Sequence, residues 1–390
     1  MKILMINSVC GIRSTGRICT DLAQALDQEG HTVRIAWGRE AVPEKFSRYA
    51  VRIGSDSGVK AHALKARLLD DSGFGSRFAT ERFLDWVRTY DPDIIHLHNI
   101  HGYYLHVGLL FDYLRTCGKR ILWTLHDCWA FTGHAAYCDS ENCEKWKTGC
   151  SRCPKDWDYP KSYLDRSRRN YTRKQALFTG IPNLELVTPS QWLAGLCKES
   201  FLKKYPVTVI HNGINTDVFH PVDSSSLRQK LGLTGKRVIL GVAALWEKRK
   251  GLEDFFTLAN YLTPDERIVL VGLSEKQKQN LPPRILGLSR TNSAQELAAF
   301  YSMADVYLNP TYEDNYPTTN LEAIACGTPV VTYATGGSPE SAILYGTVVQ
   351  KGDVEALHLA STSIESSVAP DPIQLNVAIA LRQYLRMYHV

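Results

Sequence analysis

Residues Asn309–Glu340 read NPTYEDNYPTTNLEAIACGTPVVTYATGGSPE, and the order of segments in this stretch decides the fold. A mostly apolar run, Ala304–Leu308, leads into it with the length and composition of a buried strand. An acidic loop follows. A helix is expected to start at Pro317, because the missing N–H of proline has no partner to lose in the first helical turn. Cys326-Gly327 ends that helix, glycine accepting the left-handed backbone of a C-terminal cap. Pro329–Tyr333 is a second buried strand. Strand, loop, helix and strand in this order make one step of a parallel α/β sheet. The N–H groups near Thr318 and Thr319 sit at the positive end of the helix dipole and suit an anion. Glu322 lies about one turn further in. Phosphate at the helix start, with a carboxylate for hydroxyls beside it, is what a nucleotide sugar requires.

The rest of the chain repeats this alternation. Lys2–Asn7 reads as a strand, Arg17–Glu29 as a helix and His31–Trp37 as a strand. The loop between the first two, Cys10–Gly16, lacks the spacing of a dinucleotide fingerprint. It reads as a tight turn, or as backbone at the ligand-binding carboxyl end of a sheet, through Gly11 and Gly16. Phe78–Tyr90 is a helix and Ile94–Asn99 a strand. Alternation puts His96 and His98 on one face, lining a cleft or satisfied in the core in preference to ligating a metal. Arg120–Leu125 is a strand ending in His126-Asp127, a polar pair placed either to meet substrate or to close a turn. Leu184–Thr188 and Val207–Ile210 are strands flanking a helix over Gln191–Lys204. Polar, turn-rich HNGIN at 211–215 and the soft stretch Pro221–Ser226 mark a boundary. Beyond it come Arg237–Ala243, Leu252–Leu262, Arg267–Val271 and Ala294–Tyr301, as strand, helix, strand and helix. Between the first two stands Trp246-Glu247-Lys248-Arg249-Lys250-Gly251, three consecutive cations suited to clamping a diphosphate. Val377–Tyr388 closes the chain as an amphipathic helix. At 390 residues two or three domains are expected. The divisions fall at 1–205, 206–372 and 373–390, the last piece crossing back to the first domain.

A hydrophobic content of 44% makes the chain globular. A formal charge of +5 permits an anionic ligand or surface without implying nucleic acid, and no nucleic-acid partner is expected. No apolar run approaches the roughly 18 residues of a spanning helix, and Met1–Asn7 is too short for a signal-peptide core. The expected location is the cytoplasm. Ten cysteines are unusual there as disulfides. Six are scattered and read as small apolar residues. Cys138, Cys143, Cys150 and Cys153 fall within sixteen residues in CDSENCEKWKTGCSRC. They fit a closed structural zinc site without catalytic function, in an insertion over 134–154, with His134 as an alternative ligand. Lys161–Thr179 reads as a helix rich in base, with Arg166, Arg169 and Arg173 on one face. A solvated face is the plain reading. Contact with anionic lipid headgroups, or with a lipid-diphosphate acceptor, is the sharper one.

The joint at HNGINTDVF, the basic turn before Gly251 and the acidic loop leading into LEAIACGTPVV resemble retaining glycosyltransferases of family 4. HDCWAFTGH followed by CEKWKTGCSRCP is similar to the bacterial exopolysaccharide branch, which includes colanic-acid and capsule enzymes. The resemblance implies the GT-B fold, two tandem Rossmann-like doubly wound domains facing a central cleft. It implies transfer of a hexosyl group from a nucleotide diphosphate sugar, UDP favoured over GDP, to a glycan or lipid-linked acceptor. It makes Glu322 the ribose-binding second glutamate of the EX7E motif. Asp314, which stands where the family has its first glutamate, holds sugar hydroxyls, with Glu313 beside it. Asn315, Tyr316, Pro317 and Thr318 bring backbone groups to the sugar and phosphates. Lys250 and Arg249 neutralise the leaving diphosphate, His126 faces the transferred sugar, and the Gly11–Gly16 loop approaches the phosphates. Ala243-Ala244-Leu245 occupies the place of a further family arginine, and Ala135 that of a cysteine after GH, whose ligand role passes to Cys138. No catalytic metal is expected, and a cytoplasmic location is compatible with peripheral contact at the inner face of the membrane. Other classes compatible with the sequence are a zinc-stabilised nucleic-acid binder, a GT-B epimerase or phosphorylase, and a silent scaffold on this fold.

Overall fold

The computed structural model describes residues 1–155, 157–364 and 371–389. The chain forms two compact units, Met1–Ile210 with Leu381–Val390, and His211–Ala380. The division falls at 210/211 where the sequence suggested 205/206, and the C-terminal return begins at Leu381 where it suggested 373. The expected middle range takes in residues 365–370, which lie outside the described residues.

The first unit runs β1 (Lys2–Ile6), α1 (Arg13–Gln28), β2 (Thr32–Trp37), β3 (Ala50–Arg52), α2 (Asp56–Leu69), α3 (Arg77–Tyr90), β4 (Ile94–Leu97), α4 (Val107–Thr116), β5 (Arg120–Thr124), α5 (Ser167–Phe178), β6 (Leu184–Thr188), α6 (Gln191–Glu199) and β7 (Val207–Val209). All seven strands are parallel, in the order β3-β2-β1-β4-β5-β6-β7. The order reverses between β1 and β4, which makes their carboxyl ends the switch point where open α/β sheets bind ligands.

The second unit runs α7 (Ser225–Lys230), β8 (Arg237–Val242), α8 (Leu252–Leu258), β9 (Glu266–Val271), α9 (Glu275–Lys278), β10 (Ile285–Leu288), α10 (Ala294–Met303), β11 (Val306–Asn309), α11 (Thr318–Ala325), β12 (Val330–Tyr333), α12 (Ser338–Ala342), β13 (Gly346–Val349) and α13 (Val354–Ser363). The closing helix is α14 (Val377–His389). Six parallel strands lie in the order β10-β9-β8-β11-β12-β13, with the switch point between β8 and β11. Each strand is apolar on both faces, as a sheet covered on both sides demands. Val238, Leu240, Tyr307 and Val330 pack into one hydrophobic cluster. Their neighbours Ile239, Val306, Leu308 and Val331 pack into another.

Several boundaries move for local reasons. α1 begins at Arg13, so Gly16 lies inside the helix and not in the loop before it. A Cβ at Gly16 would come within 3.2 Å of the Gly11 nitrogen, and its absence lets the first turn lie against the Val9–Gly11 segment. α5 begins at Ser167 and not at Lys161, because acceptors wait there. Asp165 Oδ1 takes the Ser167 N–H and Asp70 Oδ2 the Arg166 N–H, both at 2.8 Å. Pro317 stands just before α11 as its N-cap, with ψ 117°, instead of opening the helix. β10 escapes the sequence reading because it is short, carries Gly287 and follows two prolines.

Candidate active site

Three loops meet at the carboxyl ends of β8, β11 and β12. The β8–α8 loop carries the basic turn, with Lys248–Lys250 in a single 3-10 turn that ends in Gly251 at φ 71°. A methyl group on Gly251 would be driven into the Pro310 carbonyl. The turn is therefore seated directly on the start of the β11–α11 loop. Arg249 O accepts the Tyr312 N–H at 2.8 Å and the Thr311 hydroxyl at 3.2 Å. The Arg249 guanidinium donates to Glu313 O at 3.3 Å and to the Glu247 carboxylate at 3.1 Å. Lys250 Nζ meets Asp314 Oδ2 at 2.6 Å, both side chains only slightly exposed. The β12–α12 loop completes the arrangement. Gly337 N donates to Asp314 O at 3.2 Å, and Gly336, at φ 56°, leaves no space for a side chain against that carbonyl.

α11 starts directly behind this ion pair. Of its first-turn N–H groups, that of Asn320 donates to Pro317 O at 3.2 Å, and no side chain caps its N-terminus. Glu322 is buried one turn in, with Oε2 accepting the Tyr301 hydroxyl at 3.0 Å. Asn315 N donates to Asp314 Oδ1 at 3.0 Å, and the Tyr316 ring stacks on His211 at 4.7 Å. Burial pushes the Tyr316 phenol up, which keeps it neutral. Lys250, Arg249, Asp314, Asn315, Tyr316, Pro317, Thr318 and Glu322 thus fall together in one unit. Glu313 is 2% exposed, its carbonyl engaged by Arg249 and Thr311.

Two supports of this site are not apparent in the sequence. Asn320 donates to the Ser338 and Ser341 hydroxyls at 3.2 and 3.0 Å and accepts from Asn309 Nδ2 at 2.8 Å, so a buried network ties β11, α11 and α12. Asp254 in α8 accepts the hydroxyls of Tyr312 and Tyr333 at 2.9 and 2.8 Å. Burial raises its pKa. In sequence it looks like an ordinary solvated helix residue.

In the first unit, Gly11 takes φ 73° after β1, and its N–H donates to Gly16 O at 3.1 Å. Asn7 Oδ1 accepts the Asn99 N–H at 3.2 Å across the switch point. His126 follows β5. Its Nε2 is 3.1 Å from His98 Nδ1, and the rings stack at 5.4 Å. Burial pushes the His126 pKa down to about 4, so the ring is neutral at pH 7. His96 shares the face of His98, as alternation required, with ring centroids 4.1 Å apart. It is held in the core by the Tyr388 hydroxyl at 2.5 Å and by Thr124 at 2.8 Å. Asp127 pairs with His101 at 3.0 Å.

The basic helix corrects one expectation. Arg168 and Arg169 are exposed, but Arg173 lies over the Phe74 ring at 3.5 Å and pairs with Asp71 at 3.1 Å. Lys174 is buried, donating to Trp129 O at 2.7 Å and Thr132 O at 3.1 Å, and burial pushes its pKa down to about 7. Two of its cations therefore serve the interior instead of a solvated face. Cys138, Cys143, Cys150 and Cys153 are free thiols that line one small cavity together with His134.

A model of glycosyltransferase family 4 matches residues 15–218, and one of glycosyl transferases group 1 matches residues 223–371. The chain belongs to glycosyltransferase family 4. Over 365 residues this glycosyltransferase is 25% identical to the Escherichia coli K12 protein named for colanic acid biosynthesis, WcaC, covering 85% of this chain and 82% of that one. Sucrose-phosphate synthase from Thermosynechococcus elongatus shares its fold with a TM-score of 0.70 at 18% identity, over 100% of this chain and 98% of the other. HepE of Anabaena, solved in complex with UDP-glucose, gives 0.67 at 15% identity over 100% and 99%. The two Rossmann-like units are those of the GT-B fold. No helix among the described residues is long and apolar enough to cross a membrane.

Proposed function

We propose that the enzyme transfers a hexosyl group from a UDP-sugar, with retention, to a hydroxyl of a glycan or lipid-linked acceptor in exopolysaccharide or capsule assembly. The observation that carries this reading is the Lys250–Asp314 ion pair at 2.6 Å, set before the uncapped start of α11 with Glu322 one turn behind it. A diphosphate at this helix start meets N–H donors, the dipole and the cations of the basic turn. Glu322 takes the ribose hydroxyls and Asp314 those of the sugar. Lys250 and Arg249 stabilise the charge that grows on the departing diphosphate, a fixed electrostatic contribution that needs no reorganisation. The C1–phosphate oxygen bond breaks, the acceptor oxygen bonds C1 on the same face, and its proton passes to the leaving phosphate. His126 of the first unit is assigned to the transferred sugar, and the Gly11 turn to the phosphates.

UDP as the nucleotide is supported by the HepE complex, and the polysaccharide setting by the likeness to WcaC. A peripheral membrane site is assigned to exposed Leu64, Leu68, Trp157, Tyr163 and Leu164, with Arg67 over the Tyr163 ring, an aromatic and basic surface suited to anionic lipid. The test is a panel of UDP- and GDP-sugars. A donor should raise the melting temperature and be slowly hydrolysed, and Lys250→Ala and Glu322→Ala should abolish turnover while remaining folded. A panel without stabilisation or hydrolysis overturns the reading.

A further inference from the structure

His134 and Asp70 form a buried pair with an unusual loose end. His134 Nδ1 lies 2.6 Å from Asp70 Oδ1, and both residues are 2% exposed. Asp70 is itself fixed. It caps α2 in a left-handed conformation, its Oδ2 takes the Arg166 N–H, and its carbonyl takes the Asn170 amide at 2.6 Å. The carboxylate holds the proton on Nδ1, which leaves Nε2 with a lone pair. That Nε2 is buried without a hydrogen-bond partner, and His134 lines the cavity shared by the four clustered cysteines. Two of those sulfurs already accept backbone N–H groups. Gly133 donates to Cys150 Sγ at 3.2 Å and Lys155 to Cys153. A side chain on Gly133 would collide with Cys150 Cβ, so the residue is glycine where its N–H must approach the sulfur. A histidine oriented by a carboxylate, sharing one cavity with thiols, matches the usual second-shell design of a zinc site.

We propose that the loop binds one zinc ion through His134 Nε2 and three cysteine thiolates, Cys150 and Cys153 among them, with Asp70 orienting the histidine. Cys138 or Cys143 supplies the third thiolate, so the ligand set is not the four sulfurs the sequence spacing suggests. Three thiol protons leave to solvent as the ion enters. Among the described residues, no three of these ligand atoms all lie within 4.8 Å of one another. Binding therefore draws the loop inward to tetrahedral separations. The closure reaches the active site through two bonds: Cys128 N to Ala136 O at 2.8 Å, and the Tyr137 hydroxyl to His126 O at 3.4 Å. The ion has no open coordination position and acts by holding the segment that carries His126.

The experiment is metal analysis of the purified full-length chain, followed by cadmium substitution with nitrogen-labelled histidine. The expected results are on the order of one zinc per chain and a cadmium resonance scalar-coupled to His134 Nε2. In competition with a chromophoric chelator, His134→Ala should weaken zinc binding at least about 100-fold and Asp70→Asn about 10- to 100-fold. His134→Cys should retain the ion. If His134→Ala fails to fold, the coupling in the wild type decides. A folded chain that takes up no added zinc, a cadmium resonance of four thiolates without nitrogen coupling, or unchanged affinity in His134→Ala overturns the proposal.

Discussion

His98 decides what His126 offers. A neutral imidazole carries one N–H. His98 Nε2 is buried without a partner, and an orphaned donor there would cost more than an orphaned acceptor. The proton therefore sits on Nδ1 and is donated to His126 Nε2 across 3.1 Å. His126 must then carry its own proton on Nδ1. Burial keeps the His126 ring neutral down to about pH 4, so its donor character holds through the physiological range. His98→Leu should free the His126 ring and lower kcat about tenfold, the ~1.4 kcal/mol of one hydrogen bond, with little change in donor KM. His98→Asn, which places an amide N–H near the lost nitrogen, should recover most of that. Nitrogen NMR of His126 reports the tautomer directly. Unchanged kcat and tautomer in His98→Leu would remove the positioning role. The same scale explains Lys250. Its partner Asp314 is the carboxylate proposed to hold the sugar, so Asp314→Asn should raise donor KM and lower kcat together, measured by steady-state turnover.

At the scale of elements, the site depends on how tightly three loops are joined. Gly251 and Gly336 each sit at positive φ with a carbonyl where a side chain would go. Gly251→Ala should cost about 2 kcal/mol or more, from left-handed strain plus displacement of the Pro310 segment, and should lower turnover beyond the loss of folded protein. Asn320→Leu should cost about 2 kcal/mol, because it strips Asn309 Nδ2 of its buried acceptor and takes one bond each from the Ser338 and Ser341 hydroxyls, which keep Thr332 and Ser338 O as partners. Urea titration followed by assay of the folded fraction checks both, and a Gly251→Ala protein of wild-type stability would contradict the close packing of the turn. These elements also mark what the sequence could reveal. β8, β11 and β12 were readable because apolar runs bounded by Gly and Pro are local signals. The convergence of Lys250, Asp314 and Glu322 was readable because each follows a strand on the same end of a parallel sheet. The Asn320 network and the Asp254–tyrosine contacts were not, since they join residues that share no periodicity. Lys174 misled for the same reason: its partners are carbonyls of a distant loop, which composition does not display.

At the scale of the molecule, the two units carry different sensitivities. His62, His96, His98 and His126 are buried, and burial pushes their pKa values down, to about 4 for His62 and His126 and to about 3 for His96. All four belong to the first unit. The unfolded chain binds their protons below about pH 6.5, whereas in the folded unit His62 and His126 do not until near pH 4 and His96 until near pH 3, with His98 also shifted down. Their contribution is thus fully present above about pH 6.5 and is lost as pH falls towards 4. Each adds up to about 1.4 kcal/mol per pH unit in that window. The Lys250–Asp314–Glu322 part of the proposed donor site lies in the second unit, and a donor at 100 times its Kd adds about 2.7 kcal/mol. Hydrogen-exchange mass spectrometry at pH 7 and pH 5, with and without UDP-sugar, separates the two effects. Amides of β4 and β5 should lose protection on acidification whether or not donor is present. Amides of β8, β11 and α11 should gain protection with donor at both pH values. If acid loosened the second unit first, the buried histidines would not be the controlling groups. If donor protected β4 and β5 and left α11 unchanged, the Lys250–Asp314–Glu322 assignment would fail.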